Sequence, residues 1–417
     1  MKYNLIFLTA AASAVSAFPG MKDLMADLGK RQAETATVEL LGDLLDGATT
    51  PVGQEVKDCL LGNVACQDPS KKTYAPPGPL GSPACAEDTC CVWDFIQKDL
   101  TDLFLDCDGT CNELARGAVR FGFHDAAAWS KTSGFGGADG SLLISKDEIL
   151  RSENQGMDDI YAAGNDLLAK YSEYGIGAGD LVQFMHNTAT VLCPLGPRIL
   201  TYVGREDSEN NPTGLLPDTH SPAPVLIELF QDKTINFKDL IALIGAHTVA
   251  NQQFVDPSQA GAPLDSTPGI WDVKFYNETL QATPPPGVFR LPSDESFKND
   301  NATAPGFTVF SDPVTGQTTW NAAYSVAYVR MSLLGVNNIN ELTDCTKVLP
   351  DQVFDFTPKA CPSSSSSSSY TSTTSTTSIQ ILHDHTTMAP MVTPAPETDS
   401  YDSYGTTTAY VTVTVEC

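Results

Sequence analysis

Two histidines end apolar helical patterns in this chain, His124 in Arg120-Phe121-Gly122-Phe123-His124-Asp125 and His247 in Leu243-Ile244-Gly245-Ala246-His247-Thr248. Arg120, Phe123 and His124 stand at i, i+3 and i+4, so a helix puts a cation, an aromatic ring and an acid–base group on one face. Leu240, Leu243, Ile244 and His247 follow at i, i+3, i+4 and i+7, behind Asn236 as a helix cap, so this imidazole continues a buried stripe. The pairing suggests a haem held between the two rings. Each residue alone has a plainer reading, His247 as a satisfied core histidine and Arg120 as an exposed helix charge.

The segment after each histidine points to a second kind of chemistry. Beyond His124 come Asp125 and Gly136-Gly137-Ala138-Asp139-Gly140-Ser141; beyond His247 come Thr248 and Asp265-Ser266-Thr267-Pro268-Gly269-Ile270-Trp271-Asp272. Both runs are dense in carboxylate, hydroxyl and carbonyl oxygens. Calcium takes about six to eight such ligands, whereas zinc calls for closely spaced Cys and His. Either run alone also fits an ordinary Asx turn.

With these motifs in view the chain resembles the class II haem peroxidases, the secreted fungal family of lignin, manganese and versatile peroxidases, from about Cys85 to Cys345. The resemblance implies a mostly α, two-lobed helical fold with little β structure, and a haem b with two Ca2+. It makes Arg120, Phe123 and His124 the distal pocket, Asn154 the residue that orients His124, His247 the axial ligand, and Asp312 the hydrogen-bond partner of His247. Calcium 1 would take Asp125, Gly137, Asp139 and Ser141, and calcium 2 Thr248, Asp265, Thr267, Ile270 and Asp272. The implied disulfides are Cys85–Cys91, Cys90–Cys345 and Cys111–Cys193.

That residue set suits H2O2 reduction and then one-electron oxidation of a donor. A neutral His124 can move a proton between the peroxide oxygens, Arg120 can stabilise the charge that develops as the O–O bond breaks, and Asn154 can fix the tautomer of His124. A carboxylate behind His247 would raise its basicity as a ligand.

Departures from the family narrow the reductant. The positions of its three manganese-binding carboxylates fall here on Glu113, Gly117 and Gln253, and the surface radical tryptophan falls on Ala242. Leu264 stands where a proximal Phe is usual. One carboxylate is too few for a tight Mn(II) site. The expected donors are therefore phenols, amines and dyes reached at the haem edge, with Trp129, Trp271, Trp320 or a Tyr as candidates for another radical site.

Met1-Lys2-Tyr3, an apolar stretch from Leu5 and Ala14-Val15-Ser16-Ala17 read as a signal peptide over 1–17, too short for a membrane span. Lys30-Arg31 reads as a dibasic processing site. Asn277 and Asn301 head glycosylation sequons, and eleven cysteines suit an oxidising, extracellular compartment, the cell wall included. Cys59 and Cys66 are placed to close a local loop; Cys107, Cys361 and Cys417 have no assigned partner, Cys361 lacking its customary one. A net charge of -27 without a basic patch makes nucleic acid an unsuitable partner.

The organisation expected is a signal over 1–17, a propeptide or N-terminal extension over 18–84, the catalytic domain over 85–361 and a Ser/Thr-rich disordered tail over 362–417, the whole a monomer with no membrane segment. His186 reads as structural, and His383-Asp384-His385 in the tail as a chance pair. Other functions remain to be separated: an intracellular peroxidase of the superfamily, which would lack signal, disulfides and paired calcium runs; a manganese-oxidising or ligninolytic enzyme with a non-standard site; and a non-catalytic cell-wall protein, against which the intact Arg120, His124, Asn154, His247 and Asp312 set argues.

Overall fold

The computed structural model describes residues 38–361. They form a helical structure whose only paired strands among the described residues are β1 (Tyr202–Val203) and β2 (Thr343–Asp344), antiparallel, with Tyr202 opposite Asp344. Helices of seven residues or more are α1 (Pro51–Leu60), α2 (Cys91–Phe104), α3 (Glu113–Ala127), α4 (Asp158–Tyr171), α5 (Ala178–Leu192), α6 (Ala223–Asp232), α7 (Phe237–Ile244), α8 (Lys274–Leu280), α9 (Pro292–Asn299), α10 (Ala304–Phe310) and α11 (Gly316–Met331). A 3-10 turn, Gly245–Val249, continues α7. No helix among the described residues is long and apolar enough to cross a membrane.

The two histidine-bearing helices begin where their capping residues stand. Asn112 caps α3 by accepting from the Ala115 N–H at 3.1 Å, and Asn236 caps α7 by accepting from Lys238 and Asp239 at 2.9 and 3.1 Å. Each cap satisfies amide donors that the first turn leaves unpaired. Every residue of α5 is buried, which makes it the central post of the structure, and its largest packing partner is α3. Helix α11 touches both α3 and α7, and α3 also touches the Gly245–Val249 turn, so the elements carrying His124 and His247 share one frame.

The expected boundary at residue 85 is not a boundary in the structure. Leu41, Leu44, Val56, Cys59 and Leu60 belong to the main core, and α1 packs on α11. Asp43 accepts from the Ile339 and Asn340 amides at 2.8 and 3.1 Å, and the Thr50 hydroxyl donates to the Asn340 carbonyl at 2.7 Å. From Leu41 onward the segment read as an extension is part of the fold. Its apolar residues are few and interrupted by Gly and Pro, which hid the pattern. The Lys30-Arg31 pair, the signal and the Ser/Thr tail lie outside the described residues.

Five disulfides stitch the described chain. Cys85–Cys91, Cys90–Cys345 and Cys111–Cys193 pair as the resemblance implies, and Cys59–Cys66 closes its local loop. Cys107 pairs with Cys361, so Cys361 does not lack a partner. Cys417 lies outside the described residues. Two bridges join residues far apart in sequence, 255 positions for Cys90–Cys345 and 254 for Cys107–Cys361, tying the far ends of the domain together. Closures of that length remove the most freedom from the unfolded chain.

Candidate active site

On the distal side the expected residues converge. His124 Nδ1 lies 2.8 Å from Asn154 Oδ1, and the Asn154 amide nitrogen donates to the Glu148 carbonyl at 2.7 Å. That second bond fixes which end of the Asn154 side chain is oxygen, so His124 carries its proton on Nδ1 and presents Nε2 as an acceptor. Arg120 Nε donates to that Nε2 at 3.2 Å, while its two terminal nitrogens are held by the Gln155 and Glu153 carbonyls at 2.8 and 3.0 Å. The guanidinium is thus aimed before any substrate arrives. Phe123 meets the His124 ring edge-on at 5.3 Å and stacks on Phe230 at 6.4 Å.

This placing sets the electrostatics. His124 keeps some accessible surface, yet burial is the main cause that brings its pKa down to about 3, with the adjacent Arg120 charge adding to it and the Asn154 bond opposing it. Burial lowers Arg120 to about 10, still protonated at working pH. The pair is a neutral base beside a fixed cation.

On the proximal side the structure corrects one assignment. His247 Nδ1 lies 3.1 Å from both carboxylate oxygens of Asp294, not of Asp312. Asp294 is 1% exposed whereas the His247 side chain is 31% exposed, so the carboxylate is locked in protein while the imidazole opens toward the space beside it. Asp312 sits at the surface ahead of α11, accepting from the Val314 and Thr315 amides and the Thr315 hydroxyl. These hydrogen bonds lower its pKa. Sequence reasoning missed Asp294, although a signal existed. Leu291, Asp294 and Phe297 share one face at i, i+3 and i+6, all three buried, and an aspartate on such an apolar stripe calls for a partner.

The first oxygen-rich run, expected to bind calcium, also closes into a cluster. Asp125 is fully buried and accepts from the Gly140 and Leu142 amides at 3.3 Å each, Asp139 accepts from the Ser141 amide at 3.0 Å, and Gly137 holds φ +107. A Cβ on Gly137 would collide with the Leu334 carbonyl, so the loop needs glycine there. Burial raises Asp125 far above the usual carboxylate range and Asp139 to about 6. Glu148, which the sequence pattern did not single out, joins them at 1% exposure with its pKa raised to about 7 by burial. Buried Ser141 Oγ and Glu148 Oε2 have no hydrogen-bond partner. Converging acids with orphaned oxygen donors fit a hard cation.

The second run behaves alike. Thr248 Oγ1 donates to Asp265 Oδ2 at 2.5 Å and lies 3.4 Å from the Ile270 carbonyl, while Thr267 Oγ1 donates to Asp272 Oδ2 at 2.9 Å. Burial raises Asp265 to about 7 and raises Asp272 as well. The donors fit calcium rather than a transition metal. No group of three or more His, Cys, Asp or Glu arranged to hold a metal occurs among the described residues, and both clusters rely on hydroxyl and carbonyl oxygens to complete their sets.

A cleft of about 310 Å³ is lined by Glu113, Gly117, Asp159 and Ile160 among others. Asp159 supplies a second carboxylate that the sequence pattern did not reveal. Ala242 is fully buried, so nothing at that position faces solvent, and Trp271 and Trp320 are buried as well. Asn277 and Asn301 are exposed.

Comparison with known proteins agrees with this geometry. Residues 93–312 match the peroxidase family. The chain is 31% identical over 298 residues to a peroxidase of Arthromyces ramosus, covering 66% of this chain and 79% of that one. It is 30% identical over 296 residues to ligninase H2 of Phanerodontia chrysosporium, covering 65% and 77%, and 30% identical over 329 residues to a versatile peroxidase of Pleurotus eryngii, covering 73% and 83%. With a histidine, an arginine and an asparagine locked on one side, a histidine–aspartate pair on the other, and these relatives matched over most of their own length, the chain belongs to the peroxidase family.

Proposed function

We propose that the protein is an extracellular haem peroxidase that reduces H2O2 and oxidises phenols and other low-potential aromatic donors in one-electron steps. The observation that carries this reading is the continuous chain Glu148 carbonyl, Asn154, His124, Arg120, which leaves one unprotonated nitrogen and one cation facing the same point.

The residues fit a haem b. His247 Nε2 has no hydrogen-bond partner among the described residues, and Asp294 holds the other nitrogen, so the free nitrogen is available to iron. Haem iron, when bound there, supplies the electrons that cleave peroxide and later recovers them from the donor. His124 would accept a proton from one peroxide oxygen at its free Nε2 and return it to the other, making the leaving group water. Arg120 stabilises negative charge on that departing oxygen. Asn154 holds His124 in the reactive tautomer, and Asp294 does the same for His247. Phe123 packs the distal face. Two Ca2+ at the clusters around Asp125 and Asp265 would tie the segments next to both histidines.

The donor side rests on what the cleft contains. Glu113 and Asp159 give two carboxylates where tight Mn(II) binding wants more, and the buried Ala242 leaves no surface aromatic at that place. Steady turnover of simple phenols and dyes is expected, with weak Mn(II) oxidation and little attack on high-potential methoxybenzyl alcohols.

The test is an absorption spectrum of the purified protein before and after added H2O2. A Soret band that shifts with peroxide and recovers with a phenol supports the reading; no Soret band, or one indifferent to peroxide, overturns it. Saturable Mn(II) turnover with KM in the range of about 1 μM, the tight end for enzymes, would overturn the donor assignment.

A further inference from the structure

Behind the site lies a block of oxidisable side chains that the peroxide chemistry does not use. From His247 the rings run to Phe275 at 5.4 Å, Tyr276 at 5.2 Å, Trp320 at 5.8 Å and Tyr324 at 6.0 Å between successive centroids. Trp271 stacks on Trp320 at 4.9 Å, and Tyr328 stacks on Tyr324 at 5.8 Å. All five Trp and Tyr side chains of this group are at most 1% exposed. Near-contact spacing favours electron movement along the series. Packing alone would also give such a block, so the ring spacing does not decide the matter.

The protons decide it. Loss of an electron turns a phenol into a strong acid, and a buried tyrosine is oxidised readily only if a base stands ready, because an unpaired charge in the core is costly. Tyr276 donates to the Ile241 carbonyl at 2.7 Å, Tyr328 to the Gln183 amide oxygen at 2.8 Å and Trp320 to the Ala242 carbonyl at 2.9 Å. None of these acceptors is a base. Trp271 Nε1 has no partner. Tyr324 alone in the group has one, since its hydroxyl lies 3.1 Å from His186 Nε2.

The protonation state of His186 is set as well. Its Nδ1 lies 2.9 Å from the Val119 carbonyl, which can only accept, so Nδ1 carries the proton and Nε2 is the free acceptor toward Tyr324. Burial brings His186 down to about 3, which keeps the ring neutral at working pH. A phenol that has lost an electron is acidic enough to protonate it. The pair reaches close to the catalytic helix because Gly122, on α3 just before His124, has no side chain: a Cβ there would meet the His186 Cβ at 2.6 Å.

We propose that Tyr324 and His186 form an internal redox pair that stores one oxidising equivalent from peroxide when no external donor is present. This rests on the peroxidase reading. Cleavage of the peroxide O–O bond takes up two electrons; with no external donor a bound haem would supply one and Tyr324 the other, through the buried rings, and the two hydrogens of H2O2 leave in the water released. The phenolic proton moves to His186 Nε2, leaving a neutral tyrosyl radical and an imidazolium. An external phenol later returns one electron, and His186 returns the proton.

The test uses the full haem-loaded protein mixed with an equivalent of H2O2 and freeze-quenched for electron paramagnetic resonance. A protein radical is expected whose hyperfine pattern changes when tyrosine is ring-deuterated. Tyr324→Phe, which keeps the ring, should abolish it, and Tyr328→Phe should leave it unchanged. His186→Gln should cut its yield at least about tenfold, as loss of a proton acceptor does. Its formation should also slow in D2O for the parent protein. A tyrosyl signal of full yield in Tyr324→Phe or in His186→Gln overturns the proposal. A Soret change with no protein radical overturns the proposal and leaves the peroxidase reading standing; no Soret change overturns both.

Discussion

The two histidines of the site have the same side chain and opposite surroundings. His124 gives its Nδ1 proton to a neutral amide and has a guanidinium at its other nitrogen, which together with burial keeps it uncharged and basic at one point. His247 gives its Nδ1 proton to a buried carboxylate. A neutral partner makes an imidazole a shuttle for protons, whereas a charged partner makes it a strong electron donor to a metal. The division of labour lies in the partners, not in the histidines.

Removing each ring in turn should separate the two roles most strongly. His247→Ala should lose or misplace the haem, read as a lost or displaced Soret band, because no other nitrogen is held at that position. His124→Ala should keep the haem and slow the reaction with peroxide by about 10²- to 10⁴-fold, the usual range for a proton-transfer group. Stopped-flow mixing with H2O2 measures it. Equal and undiminished peroxide reactivity in both variants would remove the distinction between the two sides.

A smaller effect is expected one layer out, where the sequence misled. Asp294→Asn keeps the shape but removes the charge behind His247, and a loss of about 10- to 100-fold in activity is expected, as for other partners of metal-bound histidines. The Fe–His stretching band in the resonance Raman spectrum should fall in frequency at the same time. Asp312→Asn, which touches only the turn ahead of α11, should change neither. If the Asp312 variant moved that band and the Asp294 variant did not, the proximal pairing drawn from the structure would be wrong.

The reason for that misreading is physical. Distal residues were legible because Arg120, Phe123 and His124 lie on one helix, where spacing alone fixes a shared face, and both calcium runs are local loops. Asn154 needed the resemblance as a guide, and the loop that carries it is pinned in the structure by the Glu148 carbonyl. Asp294 reaches His247 through the packing of α9 against α6, α8 and α10. Nothing local announces that contact, and a second aspartate after a helix was equally eligible. The same holds for Cys107–Cys361 and for α1, whose partners are far along the chain. The His186–Tyr324 pair joins α5 to α11 and could not be read from either helix alone.

The mildest perturbation compares the two sides through the oxygen-donor clusters proposed to hold calcium. Each cluster pairs two buried aspartates with a nearby glutamate, Asp125 and Asp139 with Glu148 on the distal side and Asp265 and Asp272 with Glu278 on the proximal one. Glu278 is held by the Ser266 amide and hydroxyl, whereas Glu148 Oε2 has no partner and can add its charge to the distal set. Calcium affinity tracks the charge of the ligand set, so the proximal ion should leave first on chelation. A ligand at a hundred times its Kd adds about 2.7 kcal/mol to stability, and each loss should therefore appear as a separate step of a few degrees in the melting temperature. After the first step the absorption spectrum should report a changed His247 environment while the peroxide rate holds; only the second step should slow that rate. Because the assignment of ions to steps depends on ligand charge, Asp265→Asn should abolish the first step and leave the second. Distal loss first would reverse the ranking, and a calcium-free protein whose spectrum and melting temperature ignore exhaustive chelation would end the two-site reading altogether.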